Sequence, residues 1–328
     1  MSPLILAILA AALGTSAPLG TVADASAATA PAQAAAARLS GACLQTALAR
    51  CGFSPGLVDG KPGRKTKIAI EHFQKSRDMA ATGELDDATS EALLIASKFA
   101  TQEGSVTWKR TYRITRADAD LITGPIPEDW NERATLEVSG YADMRELLSE
   151  RGWCSLDMVT QLNPNVALDD LRPGDTVTLP DVPDATAASL TPKVDHLEVR
   201  LEDKLIIGYS SKGKPIFLTH CSIAKLMEKR PSGTLHVQSI ATAPDYTFDP
   251  AVWPEVTNVD KKLRIAPGPR NPVGAAWIGL DRPGYGIHGT VRPQDIGKTG
   301  SHGCFRLLNW EAARLARAVK VGTEVQVK

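Results

Sequence analysis

Apolar residues recur along this chain first at helical and later at alternating spacing, and the change of period divides it. Leu44, Ala47, Leu48 and Cys51 form a helical stripe closed by Gly52, a plausible helix stop. After the turn-rich Asp59-Gly60-Lys61-Pro62-Gly63, the positions Ala69, Ile70 and Phe73 predict a second helix capped by Thr66. Asp86 is placed to cap a third helix ending at Leu93-Leu94. Together these make a small all-α three-helix bundle over 39–96. Residues 97–133 read as a connecting segment, with strand-like alternation from Val106 to Ile114 and a break at Gly124-Pro125-Ile126-Pro127. Over 134–181 the pattern predicts an α+β module. Its order is a short strand at Leu136-Glu137-Val138, a helix through Met144, Leu147 and Leu148, a second helix from Ser155, and a closing strand from Thr176 to Pro180. A Pro/Ala/Ser/Thr linker covers 182–193. From 194 to 328 short alternating strands and turns predict a mainly β domain, sandwich-like or a rolled sheet, with one amphipathic helix from Glu311 to Val319.

Bulk properties sharpen this multidomain picture. The 328 residues leave room for two or three domains, and 43% apolar with 23% charged residues is a globular balance. Lys+Arg and Asp+Glu are both 37, so net charge is zero, and no basic tract points to nucleic acid. The apolar run Leu4 to Leu13 is too short to span a bilayer and leads into small residues ending at Ala25-Ser26-Ala27. That predicts a signal peptide over 1–27, a tether over 28–38, and export to the periplasm or cell envelope. Met1-Ser2-Pro3 brings no Lys or Arg, which leaves a different start or a weak signal open. Five cysteines (43, 51, 154, 221 and 304) leave at least one thiol unbridged. Cys43 and Cys51 on one helix would lie roughly 12 Å apart, past the ~7 Å that a bridge tolerates.

The reactive chemistry concentrates near the carboxyl terminus. Ser301-His302-Gly303-Cys304-Phe305-Arg306 places a thiol and an imidazole together, and a second histidine lies upstream in Gly286-Ile287-His288-Gly289-Thr290. A cysteine is a weak nucleophile until a base removes its proton. His220-Cys221, His288, His302 and Cys304 are metal-ligand types without C-x-x-C or H-E-x-x-H spacing, so no metal is expected.

With Arg230-Pro231-Ser232-Gly233 upstream, these two motifs resemble the L,D-transpeptidase (YkuD-type) catalytic domain over 194–328. The departure is at Arg230, where that family usually has Thr. The resemblance implies an acyl transfer that uses no cofactor. Cys304 would be the nucleophile and His288 its base, with a backbone carbonyl near Gly289 orienting the imidazole. Gly303 would help form the oxyanion pocket, with Ser301, His302 and Gly289 shaping it. Arg306 would stabilise the turn or meet a substrate carboxylate, and Tyr285 is a candidate substrate contact. His302 is the alternative base. The bundle resembles a peptidoglycan-binding three-helix domain through Leu44-Gln45, Asp59-Gly60, Gly63, Thr66, Ala69, Phe73-Gln74, Gly83, Asp86 and Thr89. Residues 134–181 resemble a LysM module, best at the stretch Leu171 to Pro180, without the Gly-Asp-Thr start usual there. The implied partners are peptidoglycan stem peptides and glycan strands. The acceptor of the acyl group is left open between an amine and water, and a non-catalytic wall-binding protein is the alternative from another class.

Overall fold

The computed structural model describes residues 39–102, 105–185, 193–253, 255–298, 300 and 303–328. The expected leader, the tether and part of the 182–193 linker lie outside them. Three helices open the described chain: α1 (Gly41–Arg50), α2 (Arg64–Ser76) and α3 (Asp87–Ser97). They meet over Leu48, Phe73 and Leu93, all fully buried. Asp86 caps α3, its carboxylate accepting from the Thr89 N–H at 2.7 Å. For α2 the cap lies three residues earlier than expected. Gly63 is the N-cap, and Thr66 sits inside the first turn with its hydroxyl oxygen accepting from the Gly63 N–H. Two glutamines pin the loops. Gln45 accepts from the Asp59 and Gly60 N–H groups, and Gln74 accepts from Gly83 while donating to Thr82, Glu84 and Thr89.

The middle of the chain holds β1 (Ala100–Gln102), β2 (Ser105–Thr107), β3 (Lys109–Arg113), α4 (Arg116–Asp120), α5 (Trp130–Ala134), α6 (Met144–Arg151), α7 (Leu156–Leu162) and β4 (Thr176–Pro180). The two helices expected in the 134–181 module are present. The strand expected at 136–138 is not: β4 pairs antiparallel with β3, Lys109 opposite Pro180 through Arg113 opposite Thr176. The partner strand thus comes from the stretch expected to be connecting, and residues 114–143 are an insertion between it and α6. Next to the missing strand, Ser139 is engaged elsewhere. Its N–H donates to the Pro267 carbonyl at 2.9 Å, its hydroxyl to Ala266, and its carbonyl accepts from the Arg270 N–H. Backbone groups used this way are not available to a ladder.

The remaining strands are β5 (His196–Arg200), β6 (Leu205–Tyr209), β7 (Pro215–His220), β8 (Gly233–Thr242), β9 (Tyr246–Phe248), β10 (Leu263–Ile265), β11 (Ala276–Leu280), β12 (Gly286–His288), β13 (Phe305–Arg306) and β14 (Glu324–Val327). Helix α8 (Asn309–Ala318) lies between the last two. Eight of these strands form one sheet, in the order β13-β12-β11-β8-β14-β5-β6-β7, while β9 and β10 make a separate hairpin. Alternation assigns the faces. Leu197, Ile206, Val237, Ile278, Ile287 and Phe305 pack with Leu315 of α8, whereas Leu205, Ile207 and Leu218 face the other way and join the bundle core.

The bundle is joined to the edge of that sheet. Leu218 of β7 donates to the Gly52 carbonyl and accepts from the Ser54 N–H, both at 2.9 Å. Gly52 has φ +94, and a Cβ there would lie 2.9 Å from the Ile216 carbonyl oxygen, so this contact requires glycine. Arg314 of α8 ties three regions together. It donates to the Ala49 carbonyl at 3.2 Å, lies over the Trp153 ring at 5.0 Å, and lies 3.6 Å from Glu311. Among the described residues no helix is long and apolar enough to cross a membrane.

Candidate active site

Strands β12 and β13 run parallel, with Ile287 beside Phe305 and His288 beside Arg306. Ile287 and Phe305 are buried on the α8 side, so the alternation of the pleat puts His288, Arg306 and Cys304 on the opposite face. Antiparallel β11 adds Trp277 directly beside His288, and the two rings stack at 5.7 Å and 26°. Gly286 makes room for that ring, since a Cβ there would come within 2.5 Å of it.

His288 is buried, and its Nδ1 lies 2.7 Å from the Gly289 carbonyl oxygen. A carbonyl only accepts, so Nδ1 carries the proton and Nε2 is left as a lone-pair acceptor. Burial pushes the imidazole down to about 4, with the positive Arg306 adding to the effect. The half-buried Cys304 thiol donates to the Gly284 carbonyl at 3.5 Å. Burial raises it above the ordinary thiol range, and a hydrogen bond from the Gly286 backbone together with Arg306 offsets part of the rise. The thiols of Cys43, Cys51, Cys154 and Cys221 are free, and burial pushes each of them up to about 12. Cys304 is therefore the thiol closest to ionisation, one residue before the strand that pairs with the neutral His288. Such a pair can begin nucleophilic attack with the proton passing to nitrogen.

The other expected site residues divide. Tyr285 walls the backbone of Gly303, its ring 3.5 Å from where a Cβ would stand, and Arg282 lies over that ring at 4.4 Å. Arg306 exchanges backbone hydrogen bonds with Ser222, both at 2.9 Å. Ser301 and His302 lie outside the described residues. Among the described residues no three His, Cys, Asp or Glu side chains converge to hold a metal.

Three contributors were not legible beforehand. Trp277 of β11 lies against His288. Asn309, at the start of α8, holds the loop after His288: its Oδ1 accepts from the Ala275 and Thr290 N–H groups at 3.2 and 3.0 Å. Its Nδ2 donates to Pro269 and to Glu150 of α6. Gly274 and Gly289 leave the space, since a Cβ at either would lie 2.1 or 2.2 Å from Oδ1. The third is Trp130, which lines a cavity together with Arg306. Trp130 of the insertion stacks on Phe248 of the β9–β10 hairpin at 4.2 Å and 22°. No local sequence signal marks any of these, because each acts through a partner distant in the chain.

Glu150 links the middle module to this loop. Burial pushes its carboxyl up from 4.5 to about 7 against the pull of Asn309 and Tyr141. The folded chain therefore holds this proton more tightly than the unfolded chain, and stability falls as pH rises from about 4.5 to about 7. Glu150→Gln should be more stable than the parent at pH 8 by on the order of 1–3 kcal/mol, and should show no gain at pH 4. Urea midpoints at the two pH values check this.

Residues 195–327 match the family model described as the L,D-transpeptidase catalytic domain, and residues 43–93 match a peptidoglycan binding domain. "Putative L,D-transpeptidase YqjB" of Bacillus subtilis is 36% identical over 116 residues, 32% of this chain and 64% of that protein. "Putative L,D-transpeptidase YkuD" of Bacillus licheniformis is 46% identical over 61 residues, 19% of this chain and 37% of that protein. The chain thus spans less than two thirds of the length of these curated relatives. A crystal structure of an Enterococcus faecium L,D-transpeptidase mutant is matched at 21% identity over 53% of this chain and 64% of that one, with a TM-score of 0.32. The chain therefore carries, at 195–327, a segment matching the L,D-transpeptidase catalytic domain, and at 43–93 one matching a peptidoglycan binding domain, with a middle region that neither family model covers.

Proposed function

We propose that this protein is an exported peptidoglycan L,D-transpeptidase acting on stem peptides in the cell envelope, with Cys304 as nucleophile and His288 as base. The observation that carries the reading is the shared face of β12 and β13, where an imidazole fixed in one tautomer by Gly289 lies with the most ionisable of the thiols. His288 Nε2 takes the Cys304 proton as sulfur attacks the carbonyl of the donor peptide. Backbone N–H groups at Gly303 and Cys304 receive the oxyanion, a contribution of about 2.7–4 kcal/mol for one donor where it has been measured. Collapse expels the terminal residue's amine, which takes the proton from His288 and leaves a thioester. An acceptor amine then attacks the thioester while His288 removes its proton, and Cys304 departs and recovers it. Both groups begin neutral, so the proton moves during the attack rather than before it.

The bundle serves in this reading as the wall-gripping part. The middle region supports a LysM-like role through its order of strand, two helices and strand, with β3 rather than 136–138 as the opening strand. The assigned boundaries are a bundle at 39–96 and a catalytic domain at 194–328.

Intact-mass measurement tests the assignment. Wild-type protein mixed with a stem tetrapeptide should gain the mass of the peptide less its terminal residue and water, with the adduct mapping to Cys304. Cys304→Ala should gain nothing. An unmodified wild type, or equal labelling of the variant, would end this reading.

A further inference from the structure

A cavity of about 580 Å³ opens beside the Cys304 face, and four guanidinium groups line it: Arg133 of α5, Arg270 after β10, Arg292 after β12, and Arg306 of β13. Glu128 and Asp295 are the carboxylates in the lining. The four come from four separate stretches, and two of the lining residues, Arg133 and Glu128, belong to the insertion that reaches over from the middle module. Arg292 and Arg306 lie close enough to repel one another, and so do Arg270 and Arg133, with Glu128 offsetting part of the second repulsion. Among the described residues no carboxylate lies within 4.0 Å of Arg133, Arg292 or Arg306, and the fourth, Arg270, has Glu146 at 3.4 Å with its buried Nε making no hydrogen bond. Arg133 is held in place by donation to the Pro127 carbonyl and by the Trp130 ring, 4.7 Å below it. Like charges gathered and braced in a half-buried cavity are unfavourable unless an anion completes them, and a planar guanidinium suits a carboxylate best.

We propose that this cavity is the carboxylate-recognition site of the acyl donor, taking a peptide that carries two free carboxylates and discriminating against the same peptide when they are amidated. The Arg292–Arg306 pair would take the carboxylate nearer Cys304, and the Arg133–Arg270 pair the farther one. The proposal rests on the acyl-transfer reading for the identity of the donor, but its test does not require turnover. The inserted segment 114–143 then has a purpose in specificity, because it supplies half of the farther pair.

The experiment measures binding of a stem tetrapeptide to full-length Cys304→Ala through the fluorescence of Trp130 and Trp253, which also line the cavity. The comparison ligand is the same peptide with its carboxylates converted to primary amides. The free acid should bind at least about 10-fold more tightly than the amide, since a charge-assisted hydrogen bond contributes about 1.5–3 kcal/mol. Adding Arg133→Gln, or separately the exposed Arg292→Gln, should bring the two affinities together. Equal affinity for acid and amide, or a preference that survives both substitutions, overturns the cavity assignment. Failure of wild-type protein to form the Cys304 adduct would instead strike the acyl-transfer reading, leaving the acid-over-amide preference as a separate result.

Discussion

His288→Ala should slow acylation of Cys304 by a stem tetrapeptide by a factor on the order of 10²–10⁴, the usual contribution of a positioned base. The pH profile is the sharper part of this expectation. Burial holds His288 down to about 4, so the wild-type base stays unprotonated through the mildly acidic range. Its acid limb should fall near pH 4, not near the 6.5 of an ordinary imidazole. Because Cys304 lies above its ordinary range, the variant has no thiolate to fall back on at neutral pH. Its acylation rate should climb with pH toward and beyond 9, while the wild-type rate stays level from about pH 5 to 8. Rapid-quench acylation followed by mass spectrometry gives both profiles. A variant within fivefold of wild type, or a wild-type limb at 6.5, would remove His288 from the role of base.

Asn309→Ala should destabilise the fold by about 3 kcal/mol or more and slow acylation by at least about 10-fold. The side chain is almost wholly buried and makes four hydrogen bonds, to Ala275, Thr290, Pro269 and Glu150. Truncation leaves those four groups without their partner, and an unmet buried polar group costs about 1–3 kcal/mol. The Ala275 and Thr290 contacts hold the turn whose Gly289 carbonyl orients His288, so stability and acylation should fall together. Urea unfolding gives the first effect and the acylation assay the second. A loss below 1 kcal/mol would show that the loop stands without the amide.

What was legible in the sequence followed local rules. The stripe Leu44, Ala47 and Leu48 became α1 with Cys51 as its C-cap, Asp86 capped its helix, and the alternation after 194 became the strands of the sheet. The histidine and cysteine motifs met because β12 and β13 are neighbours. The failures share another cause. The partner of β4 is β3, more than sixty positions upstream, and a long insertion hides a pairing that period alone cannot register. Trp277 looks like any buried strand residue until β12 is laid beside it. Asn309 looks like a helix start, and only the folded chain brings Gly274, Gly289 and Glu150 around its amide. A local pattern reports which face a residue takes; it does not report what stands opposite.

The hydrogen bonds between Gly52, Ser54 and Leu218 have a consequence for how the protein would work on a solid polymer. A binding domain on a flexible tether lets its enzyme roam over every site within reach. Here the helical domain is hydrogen-bonded to the edge of the sheet that carries Cys304 at its far end, so the proposed gripping surface and the thiol would sit on one framework. On the proposed function, the distance between the point of attachment and the bond attacked would be a fixed length, and the protein would work as a ruler laid along the wall rather than as a dog on a lead.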